Sequence, residues 1–241
     1  MLEAIREGWQ AFTRAPWPFL GFTLLVGILN AICNQLQKQG VGTPETPTTG
    51  LGVALAALGA VAGIAVSLWG TTGMVRGSWQ ALSGGRPSFG TFTRWDGLAL
   101  WRLLKSYWFI LILVLLIAIV AGLLGGLLAQ ITEWLALLPV LTALAVLIYL
   151  AVTQKFLAQV ALLEGPGMVA SVTRGQDVVN PQWAQVFLLG ILEFLILLVG
   201  VLACVVGLFV AVPVVTCVST AAYRQIFGSE DLTGLLAGET L

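Results

Sequence analysis

The chain contains no histidine, and that single absence removes much of the usual catalytic inventory. A histidine general base, a Ser-His-Asp triad and the common His-ligated zinc and haem sites all need an imidazole. Charge is nearly as scarce: Asp, Glu, Lys and Arg make up 9% of 241 residues, and the formal net charge is zero. The basic residues are scattered rather than gathered into a stripe, so no electrostatic footprint for nucleic acid is present. Cysteine is limited to Cys33, Cys204 and Cys217, all in apolar stretches and without a CxxC spacing, which argues against a metal site or a disulfide framework. One bridge, Cys33 to Cys204, is chemically open if both thiols face the non-cytoplasmic side; packed or lipid-facing free thiols are the simpler expectation. An intramembrane aspartyl protease needs two aspartates inside spans, and Asp96 and Asp177 are both placed at the interface. Gly84-Gly85 and Pro166-Gly167 do not extend into a phosphate loop or dinucleotide fingerprint. The expectation is a protein that is not an enzyme, with no cofactor and no metal.

What the chain has in abundance is apolar surface, with 59% hydrophobic residues and a mean hydropathy of +0.99. Such a composition leaves large apolar patches in water if folded as a soluble domain. At about 20 residues per crossing, six spans and short connections account for nearly the whole length. They are expected at Trp17 to Leu36, Gly52 to Met74, Tyr107 to Ala129, Trp134 to Phe156, Ala184 to Ala203 and Val206 to Ile226. The fold class expected is therefore all-α: a polytopic membrane protein of six transmembrane helices arranged as three hairpins. Met1 to Arg14 carries acidic residues and no long apolar core, so it does not read as a cleaved signal peptide.

Pairing the spans into hairpins sorts the charges. Arg6, Arg14, Arg76, Arg86, Arg94, Arg102, Lys105, Lys155, Arg174 and Arg224 fall on one side, and Lys38 alone on the other. The excess of Lys and Arg in cytoplasmic loops then puts both termini in the cytoplasm. A bacterial inner (plasma) membrane or a thylakoid is the expected location.

Each hairpin is preceded by a moderately polar segment suited to a helix in the membrane interface. In the first, Leu2, Ile5, Trp9 and Phe12 form a stripe opposite Glu3, Arg6, Glu7 and Gln10. In the second, Pro87-Ser88 offers a helix start before Phe89, Phe92 and Trp95. In the third, Met168, Val169, Val172 and Val179 recur at helical spacing. Trp9, Trp17, Trp95, Trp108 and Trp183 are expected as interfacial anchors. Pro139 and Tyr149 are ten residues apart, as are Pro213 and Tyr223, and Leu138-Pro139-Val140 matches Val212-Pro213-Val214. This reads as a single membrane domain with three internal repeats, approximately 1–84, 85–164 and 165–228, and a short tail, 229–241. The repeats run in the same direction, unlike the inverted pairs common in secondary transporters.

The order of these features resembles the bacterial integral membrane family found fused to some glycerophosphoryl diester phosphodiesterases. The residues that carry the resemblance are Glu7-Gly8-Trp9-Gln10-Ala11-Phe12 with Pro16-Trp17-Pro18-Phe19, Gly85-Arg86-Pro87-Ser88-Phe89, Leu163-Glu164-Gly165 with Arg174, Asn180-Pro181-Gln182-Trp183, and the closing Ala221-Ala222-Tyr223-Arg224-Gln225-Ile226-Phe227-Gly228. The resemblance implies a stand-alone copy of the membrane domain and brings no catalytic residues.

The sharpest single position is Glu193, about ten residues into a span from either end. An ionised carboxylate near the bilayer centre costs at least about 2.5 kcal/mol on insertion scales, so it is expected to be protonated, paired or in a wet cavity. Asn30, with Asn34 one turn further on, is a candidate partner. Two readings stand: a proton or cation site, or a hydrogen bond that holds the bundle together. Gly59 and Gly63 form a small-xxx-small pair suited to close helix packing within the chain, with homo-oligomerisation as the other use. Gly122, Gly125 and Gly126 thin a second helix. Pro139 and Pro213 are expected to kink their helices. Function is read as a scaffold, assembly or organising factor for lipids or for a membrane-protein partner, with a partner in a pigment-protein complex as one variant. The alternative is a small transporter or lipid-handling protein using Glu193.

Overall fold

A computed structural model describes residues 2–40, 49–203 and 206–236. Among these residues the regular structure is helical and contains no strand. The principal helices are α1 (Leu2–Arg14), α2 (Pro16–Gly40), α3 (Gly50–Leu82), α4 (Phe89–Thr93), α5 (Gly97–Ala129), α6 (Leu137–Thr153), α7 (Leu157–Gln159), α8 (Met168–Val179), α9 (Trp183–Leu202) and α10 (Val206–Phe227). Six stretches are long and apolar enough to cross a bilayer, and the protein is an integral membrane protein of the all-α class. The two largest hairpin helices overrun the expected spans: α3 continues to Leu82 and α5 begins at Gly97. Hydropathy marks only the part of a helix that lies in hydrocarbon, whereas backbone hydrogen bonding carries the helix on into the interface.

The chain divides into two compact units. The first comprises residues 1–100, 192–229 and 234–241; the second comprises 101–191 and 230–233. The boundaries therefore fall inside α5 and α9.

In the first unit α2 and α3 pack as a tight hairpin. Gly59 is buried on α3, and a Cβ there would stand 2.8 Å from the carbonyl oxygen of Cys33 and 2.9 Å from the backbone nitrogen of Gln37. Only a residue without a side chain lets the two backbones approach so closely. Further along α3, Gly73 and Gly77 receive Phe22 and Phe92 in the same way. Phe92 is fully buried and stands edge-on to Phe19, ring centroids 4.8 Å apart; Phe22 in turn meets Trp69 at 5.0 Å. These rings form the core at one end of the unit.

The short helix α4 begins where Ser88 was expected to start it. Ser88 and Thr91 form a reciprocal capping box, which satisfies amide donors that a helix end otherwise leaves unpaired. The helix is a single turn, however, and the three aromatic residues do not share a buried face: Phe92 is inside, whereas Phe89 and Trp95 are exposed. A threefold spacing brings residues to one face only while the helix lasts, and α4 ends at Thr93.

Of the large apolar residues of α1, only Phe12 is buried. Leu2 and Trp9 are exposed, and the buried face is built from Ala4, Gly8, Ala11 and Phe12. A Cβ on Gly8 would lie 2.6 Å from the backbone of Val218, so α1 lies directly against α10.

The second unit is organised around the segment after α6. Phe156, Leu157, Val160, Leu162 and Leu163 are all buried there. A π turn over Val160–Glu164 closes with Gly165 in the left-handed region at φ 62°, which only glycine adopts without strain. Around it, Gly175 of α8 abuts the Thr153 carbonyl, Tyr149 donates to Asn180 Oδ1 at 2.8 Å, and Arg174 pairs with Glu164 at 3.0 Å.

Candidate functional site

Polar groups inside the spans are where chemistry would reside. Glu193 on α9 is buried, and its Oε1 accepts a 2.9 Å hydrogen bond from Ser219 Oγ on α10. Asn30 on α2 is engaged elsewhere: its Nδ2 donates to the Val26 carbonyl at 3.1 Å, and its Oδ1 accepts from Ser67 Oγ of α3 at 3.2 Å. The expected Asn30–Glu193 partnership is therefore replaced by two separate interhelical bonds, each to a serine. A serine is a weak sequence signal because it is tolerated throughout a span, so neither pairing was legible beforehand. Asn34 is exposed.

Asn30 and Ser67 lie at a cleft of about 300 Å³ whose wall includes Thr23, Thr71 and Thr216. Each of these threonines donates its hydroxyl proton to a carbonyl four residues earlier in its own helix, at 2.9 Å in each case. Their oxygens keep only acceptor capacity for the cleft. The cleft thus offers hydrogen-bond acceptors and no side-chain charge.

The proline expectation divides. Pro213 does lie inside α10, where its missing N–H removes the bond to the carbonyl four residues earlier. Pro139 does not interrupt a helix, because it is the third residue of α6, preceded by a 3₁₀ turn over Glu133–Ala136. First-turn amides have no partner within an α-helix, so proline there costs little. The two residues matched by spacing to these prolines also differ: Tyr149 reaches Asn180, whereas Tyr223 is buried against Phe227 and Trp79.

Among the expected anchors, Trp9, Trp17, Trp95 and Trp108 are exposed, and Trp183 is half-buried and stacked on Phe187 at 5.1 Å. Gly59 faces α2 closely, as described, and Gly63 more loosely, at 3.6 Å from Cys33 Cβ. Cys33 and Cys217 are buried free thiols, the latter 3.4 Å from Ser78 Oγ. Cys204, the other half of the conceivable bridge, lies outside the described residues.

The α5–α6 hairpin has the least internal packing. From Tyr107 to Ala129 only Gly125 is buried, and from Leu137 to Tyr149 no residue is. A groove of about 500 Å³ separates the two helices, with Leu116, Val120 and Leu124 on one wall and Leu138, Thr142 and Val146 on the other. A side chain added at Gly122 or Gly126 would meet nothing within 4 Å. Hydropathy foresaw these helices but not their lack of neighbours, since lipid-facing and partner-facing positions have the same composition. No family model, curated protein or solved structure matches the chain.

Proposed function

We propose that this protein is a non-enzymatic scaffold, assembly or organising factor for other membrane proteins or lipids, and that its α5–α6 hairpin receives a transmembrane helix of a membrane-protein partner. The observation that carries this reading is the exposure of that hairpin, two spans with a 500 Å³ groove between them and one buried residue over the stretch Tyr107 to Ala129. Membrane helices associate through close packing at small residues, and Gly122 and Gly126 supply open small-residue positions. Both termini are assigned to the cytoplasm of a bacterial plasma membrane or a thylakoid on the distribution of Lys and Arg. Three copies of an interfacial helix and a hairpin, and kinship with the membrane domain of glycerophosphoryl diester phosphodiesterases, belong to the same reading.

The test is purification of the tagged protein from its own membrane in mild detergent, with mass spectrometry of what accompanies it. A stoichiometric partner is expected, and Gly122→Leu with Gly126→Leu is expected to release it without altering the fold. Recovery of the protein alone would overturn the reading.

The cleft at Asn30 and the buried Glu193 favour a second reading, a small transporter or lipid-handling protein. It predicts that Glu193→Gln, which keeps the acceptor for Ser219, reduces a flux measured in proteoliposomes by about tenfold or more. An unchanged flux, or none in the parent protein, removes it.

A further inference from the structure

At one end of the first unit, α1, α3 and α10 finish around a polar pocket of about 400 Å³. Two guanidiniums border it. Arg14, the last residue of α1, donates from Nη1 to the carbonyl of Ala81 in the final turn of α3. Arg224, near the end of α10, lies over the Trp79 ring, 5.3 Å from its centroid. The first contact uses one N–H and the second uses a face. A guanidinium has five N–H donors, so most of both forks remain available. Neither arginine has an ion-pair partner among the described residues. The pocket's carboxylate, Glu7, accepts instead from the Gln225 amide at 3.3 Å. The amide of Gln10 and the hydroxyl of Ser229 complete its polar lining.

The charge pattern is specific. Two planar guanidiniums match the oxygens of a phosphate better than those of any other common biological anion except a carboxylate. A carboxylate beside them disfavours a doubly anionic ligand and favours one that carries its own cation. Trp9 on α1 and Trp17 at the start of α2 are exposed, and indole rings favour the level of lipid headgroups. We propose that the pocket binds a phosphodiester bearing a primary amine, with the phosphate on Arg14 and Arg224 and the ammonium toward Glu7. This proposal does not depend on the organising role and needs only the geometry of the first unit.

The test uses the full chain in detergent, titrated separately with phosphatidylethanolamine, phosphatidylglycerol, glycerophosphoethanolamine and inorganic phosphate, with binding read by native mass spectrometry. Phosphatidylethanolamine is expected to bind best. Arg224→Gln and Arg14→Gln should each weaken it about tenfold, whereas the exposed Arg86→Gln should not. Glu7→Gln should abolish the preference over phosphatidylglycerol. Binding of glycerophosphoethanolamine as tightly as the lipid would support the same site with a soluble ester as its ligand, while binding of the lipid alone assigns the membrane headgroup. Because Arg14 also tethers α3, Arg224→Gln decides if Arg14→Gln does not fold. Equal binding by Arg224→Gln and the parent protein overturns the phosphate site. Equal binding of the two lipids, with no effect of Glu7→Gln, overturns its selectivity for amines.

Discussion

Arg76 places a charge in the interior of the first unit, with its side chain 1% exposed. Its Nη1 donates to the carbonyls of Arg94 at 3.0 Å and Thr91 at 3.4 Å, its Nε to the carbonyl of Leu235 at 3.3 Å, and its Nη2 lies 3.7 Å from Asp96 Oδ2. One side chain thus closes α4 at its C-terminal end and holds the buried Leu235 of the C-terminal segment. Asp96 passes the arrangement on, since its Oδ1 accepts from the Ala99 amide in the first turn of α5. Replacing Arg76 by Leu would leave the buried carbonyls of Thr91 and Leu235 without their donor, an effect of about 1–3 kcal/mol for each group left unpaired. Thermal unfolding in detergent, followed by tryptophan fluorescence, should show a clearly lower midpoint for Arg76→Leu and a smaller loss for Arg76→Lys. From the sequence, Arg76 was legible as one positive charge on the arginine-rich side. Its partners were not, because Leu235 is 159 residues away and offers only a backbone carbonyl, which every residue possesses.

At the scale of elements, the closest helix contacts of the first unit are made at glycines, among them Gly8 against Val218 and Gly59 against Cys33 and Gln37. The amphipathic pattern of α1 runs through Leu2, Ile5, Trp9 and Phe12, yet its buried residues are Ala4, Gly8, Ala11 and Phe12, with Gly8 against Val218 of α10. Large apolar residues face lipid as readily as protein in a bilayer, so size and hydropathy do not identify the internal face. Substituting Gly8 by Leu should undock α1, because even a Cβ would overlap the Val218 backbone. The expected result is faster proteolysis and amide exchange confined to residues 2–14, with the α2–α3 hairpin unaffected. In α8 the predicted stripe divides: Val172 and Val179 are buried together with Ser171 and Gly175, while Met168 and Val169 are exposed.

For the whole molecule, the charge asymmetry makes a claim that can be checked directly. In a background lacking the native cysteines, Ser83→Cys should react with a membrane-impermeant maleimide only from the cytoplasmic side. Lys38→Cys should react only from the opposite side. The reverse pattern would invert the assigned orientation while leaving the six spans intact.

The all-helical membrane class and the number of candidate crossings are legible in the residues alone, because burying a peptide backbone in hydrocarbon admits few solutions and long apolar runs report it directly. The sequence also marks Ser88 as a helix start, Gly59 as a close-packing position and Glu193 as an exceptional charge. The packed fold was needed to show that Glu193 meets Ser219, that Asn30 meets Ser67, that Arg76 gathers distant carbonyls and that α5 and α6 leave a groove between them. The reason is physical: hydropathy is a property of each segment against its solvent, whereas a hydrogen bond or an empty groove belongs to a pair of segments, and in lipid the apolar faces that pack and those that do not have the same composition.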